Sequence, residues 1–417
     1  MYKSLAILLL FNLNWANSQN LEPLITGENI TLNSSVFESE KNIFISLPES
    51  YEYGQQFPVL YVLDGQGLFI LTHAISQTLA ATHNIEEFIV VGINHQNRYL
   101  ELRAPGAKKL QQFIDTELKP FMQSNYLISD YSLLAGHSLG GSMVLDQWLT
   151  KPTAFNAYIA VSPVLNREGT PQIKTIARFL NQNPTLQTNL FLAKGNEQGN
   201  YKSTIKALTD LLKSHSSKHL NWSFQEFEKY SHGAVVVPAI TEGLVDLFQD
   251  RIMPALADLS SFNSIEHIET LGGFEPVEKY YQKYAKLKGH DFGVPDIVYS
   301  RFVWIYFGAE QHDKLFDFIK KYGDKHATIH YYLIQAYFNK KDFKRARQLI
   351  DIELKNNSNN AQAWHTLGQI YEDENNTTEA IQSYKNAIKL AKNNHLKSVS
   401  IFTESLNQVE KQLKNKK

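Results

Sequence analysis

The feature that most constrains the fold is a glycine-flanked serine placed between a strand-like and a helix-like segment. The hexapeptide Gly-His-Ser-Leu-Gly-Gly at 136–141 follows an apolar run at 131–135 and precedes a helical pattern at 142–149. A Gly-x-Ser-x-Gly turn in this context holds its serine in a strained backbone conformation, facing the N–H groups of the new helix. We therefore predict that Ser138 is a nucleophile. The alternative is a helix cap in an ordinary loop.

The size and charge of the chain exclude several classes of protein. With 417 residues, 43% of them hydrophobic and 12% aromatic, the chain is long enough for two sizeable cores. Its formal net charge of −1 gives no basis for binding nucleic acid or an anionic membrane. The sequence has no cysteine, which excludes disulfides, thiolate metal sites and a cysteine nucleophile.

The first 18 residues have the pattern of a secretory signal. Lys3 is followed by a compact apolar run at 5–11, and Ala16-Asn17-Ser18 places small residues where a signal peptidase cleaves, before Gln19. A membrane-spanning helix needs about 20 apolar residues, and neither this run nor any later segment reaches that length. We expect a signal peptide at 1–18 and an exported protein, periplasmic or secreted, with no membrane span.

Strand-like and helix-like segments alternate from residue 21 to about 247. Buried continuous strands that alternate with helices predict a mostly parallel sheet with helices on both faces, which we assign to 19–255. Ligands of such sheets bind at the carboxyl ends of the strands, where Ser138 lies. The expected strands are 42–47, 57–63, 88–93, 131–135, 157–161, 190–193 and 222–227, and the expected helices are 107–122, 142–149, 201–215 and 234–248.

Beyond a polar boundary at 255–264 the pattern is all-helical, with a helical linker predicted at 256–298 and a repeat domain at 299–417. A 34-residue period relates Leu367, Tyr371 and Ala380 to Leu333, Tyr337 and Ala346, which is the spacing of tetratricopeptide repeats. Residues 303–322 fit a third, degenerate helical pair. We expect the repeats to bind a peptide partner through their concave face, to dimerise the chain, or to wall the site.

A serine nucleophile needs a base and an acid to orient it, in the chain order Ser, Asp or Glu, His. His232 follows the strand at 222–227 and precedes a new helix, so it is the predicted base. Glu197 stands just past the strand at 190–193 and is the predicted acid, with Glu168 in reserve and a Ser–His dyad as the alternative.

The oxyanion of an acyl transfer needs two hydrogen-bond donors. One is predicted to be the N–H of Leu139, the residue after the nucleophile. The other is predicted to be the N–H of Gln66, in the Asp-Gly-Gln-Gly segment at 64–67 that follows the strand at 57–63. An ordinary tight turn is the alternative for this segment.

The segments at 58–65, 90–93 with Arg98, 136–141, 160–163 and 231–233 together resemble the putative esterase family of α/β-hydrolases. That family includes ferric-siderophore esterases, feruloyl esterases and S-formylglutathione hydrolases. The resemblance implies an α/β-hydrolase fold and carboxylic-ester hydrolysis through an acyl-enzyme on Ser138, with His232 as base and Gln66 as second donor. No metal or organic cofactor is implied. Residues 276–295 are similar to the linker of members fused to tetratricopeptide repeats.

The expected partner is a small-molecule ester, and Arg98, Asp64 and Ser162 are predicted to contact it. Relatives often carry an aspartate where this chain has Glu101, and bulky aromatics after the Ser-Pro pair at 162–163. The natural ester is therefore open, with a ferric siderophore as one candidate. Acyl transfer to an alcohol and a binding protein with a non-catalytic hydrolase scaffold are the alternative functions.

Overall fold

A computed structural model of the chain describes residues 26–165, 172–214 and 220–415. The predicted signal peptide and the reserve acid Glu168 lie outside the described residues. Within the described part, no helix is both long and apolar enough to cross a membrane.

The described N-terminal region is built on an eight-stranded sheet with the strand order β1-β2-β4-β3-β5-β6-β7-β8. The strands are β1 (Glu28–Ser34), β2 (Ser39–Ser46), β3 (Phe57–Leu63), β4 (Ile89–Ile93), β5 (Ile128–His137), β6 (Ala157–Val161), β7 (Thr188–Lys194) and β8 (Leu220–Glu226). The pairs β1–β2 and β2–β4 are antiparallel, and every pair from β4 to β8 is parallel. The carboxyl ends of β3 to β8 therefore meet at one edge of the sheet.

Helices cover both faces of this sheet. They are α1 (Gly65–Ala81), α2 (Arg98–Glu101), α3 (Gly106–Phe113), α4 (Lys119–Asn125), α5 (Leu139–Thr150), α6 (Gln172–Gln182), α7 (Asn200–Ser214) and α8 (Val236–Leu247). Side chains of β3 alternate between the two layers: Tyr61 packs in one buried cluster and Leu60 in the other. Because both faces are buried, the strand is apolar along its whole length, as the predicted continuous apolar strands require.

The predicted mostly parallel sheet is confirmed, and so is each predicted strand, with end shifts of a few residues. The helix expected at 107–122 is observed from Gly106 to Asn125, continuous through a π-helical turn at Ile114–Leu118. Three described helices of the sheet domain, α1, α2 and α6, and the edge strand β1 were not anticipated.

The C-terminal region is all-helical in its described residues. Its helices are α9 (Ile265–Leu271), α10 (Glu275–Lys288), α11 (Asp296–Gly308), α12 (His312–Tyr322), α13 (Ala327–Asn339), α14 (Phe343–Asn356), α15 (Ala361–Asp373), α16 (Thr377–Asn393) and α17 (Val399–Asn415). The predicted repeats are the pairs α13–α14 and α15–α16, and the predicted degenerate pair is α11–α12. A Cβ added to Gly368 would lie 2.5 Å from Tyr384, so only glycine allows this close packing of α15 on α16.

The helical region packs against the sheet domain at the 3₁₀ turn Glu49–Tyr53, which joins β2 to β3. The turn contacts α13 and α15, the first helices of two successive pairs. The Tyr53 ring lies 4.8 Å from that of Tyr331, and the Asn357 side-chain amide donates to the Tyr53 carbonyl over 2.9 Å. The repeats therefore contact the amino-end edge of the parallel strands, opposite the edge that carries Ser138.

Candidate active site

The predicted Gly-x-Ser-x-Gly turn at 136–141, or nucleophile elbow, is present at the carboxyl end of β5. Ser138 lies between β5 and α5 with φ 58° and ψ −117°, a conformation that non-glycine residues rarely adopt. Its N–H donates to the Val161 carbonyl over 2.9 Å, which fixes the turn to β6. A Cβ on Gly136 would lie 2.6 Å from the backbone of Gly140, so the turn requires glycine there.

Glu197 and His232 come together at the same edge. His232 Nδ1 lies 2.8 Å from Glu197 Oε1, and the carboxylate is nearly buried while the imidazole is half-exposed. Burial alone would raise the pKa of Glu197, but the neighbouring Ser162 side chain and the hydrogen bond with His232 outweigh it and lower that pKa. The carboxylate is therefore ionised near neutral pH and can accept a hydrogen bond from the His232 Nδ1–H. The second imidazole nitrogen, Nε2, is left to act as a base.

Ser162, predicted to contact substrate, is fully buried at the end of β6. Its hydroxyl interacts with Glu197 and lowers the pKa of that carboxyl group. A side chain in this position supports the acid and presents no surface to a ligand.

The two predicted oxyanion donors are first-turn N–H groups of two helices. Leu139 is the first residue of α5 and Gln66 the second residue of α1. Such groups have no acceptor within their own helix, and they carry the positive end of the helix dipole. Asp64 precedes α1 in a left-handed conformation (φ 58°), so the segment at 64–67 is a strand-to-helix turn and not a separate tight turn.

Arg98 and Asp64, both predicted to bind substrate, bind each other. Arg98 Nε lies 2.6 Å from Asp64 Oδ1, and a second guanidinium nitrogen lies 2.9 Å from Oδ2. The same guanidinium donates to the His137 carbonyl over 3.3 Å. This bidentate pair joins the start of α1 to the elbow. The pairing was not predicted, because the two residues are 34 positions apart in the chain.

A buried polar chain continues from this pair into the protein. His95 Nε2 accepts from the Asp64 N–H at 3.3 Å, and His95 Nδ1 lies 2.9 Å from Glu101. Glu101 also binds the Nζ of Lys41 at 2.5 Å, and both side chains are buried. Despite burial, the hydrogen bonds from His95 and Lys41 lower the pKa of Glu101 to about 2. Glu101 is thus held inside the protein by His95 and Lys41.

Three side chains at the site were missed by the sequence analysis. His137 Nε2 lies 2.7 Å from the His232 carbonyl oxygen and ties the base loop to the elbow. Lys194 is buried, pairs with Glu226 at 2.6 Å and donates to the Gly195 carbonyl at 2.7 Å, below the Glu197 loop. Tyr201 lies with its ring edge-on to His232, at 5.3 Å between ring centroids. Of the three, only His137 could have been suspected from the sequence, because it directly precedes Ser138.

A cavity of about 1470 Å³ lies elsewhere, between the sheet domain and the repeats. Its lining includes Tyr53, Arg251 and Asn357 but not Ser138, Glu197 or His232. The described residues contain no group of three or more His, Asp or Glu side chains arranged to hold a metal ion.

The strand order and the elbow define an α/β-hydrolase. Residues 34–225 match the model of the family described as putative esterase, and residues 361–394 match the tetratricopeptide repeat model. The chain is thus a carboxylic ester hydrolase with an esterase domain followed by a tetratricopeptide-repeat region.

Two relatives are named as siderophore esterases. The ferri-bacillibactin esterase BesA of Bacillus subtilis is 27% identical over 257 residues, which cover 53% of this chain and 89% of the relative. The siderophore triacetylfusarinine C esterase of Aspergillus fumigatus is 30% identical over 127 residues, 25% of this chain and 44% of the relative. Neither the acyltransferase nor the non-catalytic alternative is favoured by these relatives.

Solved structures share the fold. An IroE-like serine hydrolase from Shewanella oneidensis has a TM-score of 0.58 and 20% identity, covering 70% of this chain and 96% of that chain. A protein from Capnocytophaga ochracea has a TM-score of 0.53 and 17% identity, covering 92% of this chain and 99% of that chain. The second match extends over the repeats, so the two-part architecture recurs in another protein.

Proposed function

We propose that Ser138, Glu197 and His232 form a catalytic triad that hydrolyses a carboxylic ester through an acyl-enzyme. The observation that carries the proposal is the 2.8 Å contact between His232 Nδ1 and Glu197 Oε1 at the strand edge that bears the strained Ser138. An ionised Glu197 holds the imidazole in one tautomer and stabilises the imidazolium that forms during the reaction.

In the proposed reaction, Ser138 Oγ attacks the ester carbonyl carbon while His232 Nε2 takes the hydroxyl proton. The N–H groups of Leu139 and Gln66 hold the tetrahedral oxyanion, and each donor contributes about 3 kcal/mol of transition-state stabilisation. Collapse breaks the bond to the alcohol oxygen, which receives the proton from His232. Water then attacks the acyl-enzyme by the same steps and releases the acid.

We infer that the natural substrate is an ester-linked siderophore. The support is that both named relatives act on siderophore esters, bacillibactin with bound iron in one case and triacetylfusarinine C in the other. The elbow and the acid–base pair supply the chemistry that such an ester needs, and no residue of the proposed mechanism requires a cofactor.

We further propose that the chain is exported after cleavage before Gln19, on the basis of the signal-like pattern at 1–18. Sequencing the N-terminus of the protein from the producing cell tests this. A mature chain that begins at Gln19 supports export, and a chain that begins at Met1 contradicts it.

A fluorophosphonate probe, followed by peptide mapping, tests the triad. We expect labelling on Ser138, its loss in His232→Ala, and a fall of ester hydrolysis by at least about 10³-fold in Ser138→Ala. The Ser142→Ala variant is the matched control, because Ser142 lies one turn further along α5 with its hydroxyl bonded to the Val164 carbonyl. Hydrolysis that survives in folded Ser138→Ala would overturn the proposal.

The substrate is tested separately by incubating the purified chain with iron-loaded and iron-free catecholate trilactones and with triacetylfusarinine C. Mass spectrometry then detects the ring-opened acids. Simple alkyl and aryl acetates serve as comparison esters. A kcat/KM for every siderophore that does not exceed that for the acetates would contradict the substrate assignment while leaving the triad intact.

A further inference from the structure

The side chain of Tyr201 lies against the proposed nucleophile. Tyr201 is the second residue of α7, and its phenol lies near enough to the Ser138 side chain for that side chain to act on the pKa of Tyr201. Its ring packs edge-on to His232 at 5.3 Å, and its hydroxyl lies 3.4 Å from the Ser162 carbonyl oxygen. One half-buried phenol thus packs against the proposed base and lies beside the proposed nucleophile.

The sheet order fixes the side of the nucleophile on which this phenol lies. The strand β3, which leads to Gln66, neighbours β5 on one side, and β6, β7 and β8 follow on the other. Tyr201 and Glu197 come after β7, and His232 comes after β8. The phenol therefore lies on the base side, away from the donor at Gln66. During acylation, the departing alcohol oxygen of the ester lies on that side. During deacylation, the attacking water takes the same place.

The phenol is a hydrogen-bond donor under working conditions. Burial raises the pKa of Tyr201 above its ordinary value, so the O–H is intact near neutral pH. Its bond to the Ser162 carbonyl, at 3.4 Å, is long, so the proton can turn to a better acceptor that arrives with the substrate.

We propose that Tyr201 is a further catalytic residue that donates a hydrogen bond to the departing alcohol oxygen of the ester. No bond of the phenol breaks: the proton that completes the alcohol is the one that His232 took from Ser138. In deacylation the same O–H orients the attacking water, whose proton goes to His232. This assignment rests on the proposed role of Ser138.

Two esters with the same acyl group and different alcohols test the assignment. We expect Tyr201→Phe to lower kcat/KM for ethyl acetate by about 10- to 100-fold, because a basic alkoxide depends on the donor. For p-nitrophenyl acetate we expect a loss below about threefold, since nitrophenolate departs without assistance. The kcat/KM value is the right quantity because it reports acylation, the step that expels the alcohol.

Tyr230→Phe is the matched control. Tyr230 is an exposed tyrosine in the loop before His232, with its ring edge-on to Phe227, and we expect both esters to react as in the wild type. An equal loss on both esters in Tyr201→Phe would overturn the assignment, because it would show a structural displacement of Ser138 or His232. So would no loss on either ester.

The fluorophosphonate reaction separates failure of this assignment from failure of the triad. Fluoride is a good leaving group, so Tyr201→Phe is expected to label on Ser138 at a rate close to that of the wild type. If Ser138 does not label in the wild type, the triad proposal fails. If the wild type labels and both esters respond equally to Tyr201→Phe, only the role of Tyr201 fails.

Discussion

Arg98 joins the turn that contains Gln66 to the turn that contains Ser138 by hydrogen bonds to both. Its guanidinium holds both carboxylate oxygens of Asp64, which precedes α1, and the carbonyl of His137, which precedes the serine. Because Asp64 is nearly buried, removing its partner leaves a charge poorly compensated. The pair thus sets the distance between the two proposed oxyanion donors.

This geometry predicts that Arg98→Lys lowers kcat by about 10- to 100-fold with little change in KM. A lysine keeps the charge but cannot form the bidentate pair and the bond to the His137 carbonyl together, so the donor at Gln66 shifts. Steady-state kinetics on an aryl acetate measures the split between kcat and KM. Arg345→Lys, in an arginine–aspartate pair of the repeats at 2.5 Å, is the control. A rise in KM with unchanged kcat would show instead that Arg98 binds substrate.

Candidate residues at the ends of strands could be located from the sequence. Residues whose role depends on tertiary contacts with other side chains could not. Ser138, Glu197 and His232 each follow an apolar strand, so their meeting at one edge follows from a parallel sheet. Tyr201 is one of 21 tyrosines and lies in a helix, where nothing in the pattern marks it. The contacts of Asp64 and Arg98 depend on the packing of α1 and α2.

At the scale of elements, the hydrophobic pattern of the sequence predicted strands and helices best where the observed burial follows that pattern. The strand at Phe57–Leu63 is wholly buried and was predicted at its observed bounds. Helix α1 was missed because it begins Gly-Gln-Gly, a sequence that favours a loop by about 1 kcal/mol per glycine relative to alanine. Packing against β4 and α8 outweighs that preference.

The last repeat contains a buried histidine, His365, whose neighbours are a serine and aromatic rings. His365 on α15 stacks on Phe402 of α17 at 4.6 Å, and its Nε2 lies 3.0 Å from Ser405 Oγ. Burial lowers the pKa of His365 to about 4. The packing of α17 on α15 therefore depends on the neutral imidazole.

We expect the last repeat to lose stability as the pH falls. The unfolded chain protonates His365 near pH 6.5 and the folded chain near pH 4, so the contribution is complete above pH 6.5 and declines below it. At pH 5 the loss is about 2 kcal/mol. Hydrogen exchange of peptides from 361–415, corrected for intrinsic rates, measures this. His365→Phe should remove the pH dependence, and exposed His267→Gln should not. Equal exchange at pH 7 and pH 5 in the wild type would contradict the expectation.

At the scale of the whole molecule, the helical region braces the sheet domain at the edge opposite the proposed catalytic site. Glu52 accepts from the N–H of Lys397 at 2.6 Å, beside the contacts of Tyr53 with Tyr331 and Asn357. Strand β5 runs between the two edges and, with ten residues, spans about 33 Å. The first helices of two repeat pairs thus contact the chain's own turn at Glu49–Tyr53.

This arrangement predicts that the junction, the contact between the turn at Glu49–Tyr53 and the repeats, can be weakened without loss of ester hydrolysis. We expect Tyr53→Ala to weaken the junction by about 2 kcal/mol, through lost aromatic packing against Tyr331. The kcat/KM on a small ester should stay within about twofold of wild type, because distant sites contribute independently. Hydrogen exchange of the turn at 49–54 and of α13 measures the first effect, and steady-state kinetics the second. Tyr53→Phe, which keeps the ring, is the matched control and should resemble wild type in both. A tenfold loss of kcat/KM in Tyr53→Ala with unchanged exchange would show that the repeats act on the site itself, and the brace would then be a regulatory contact.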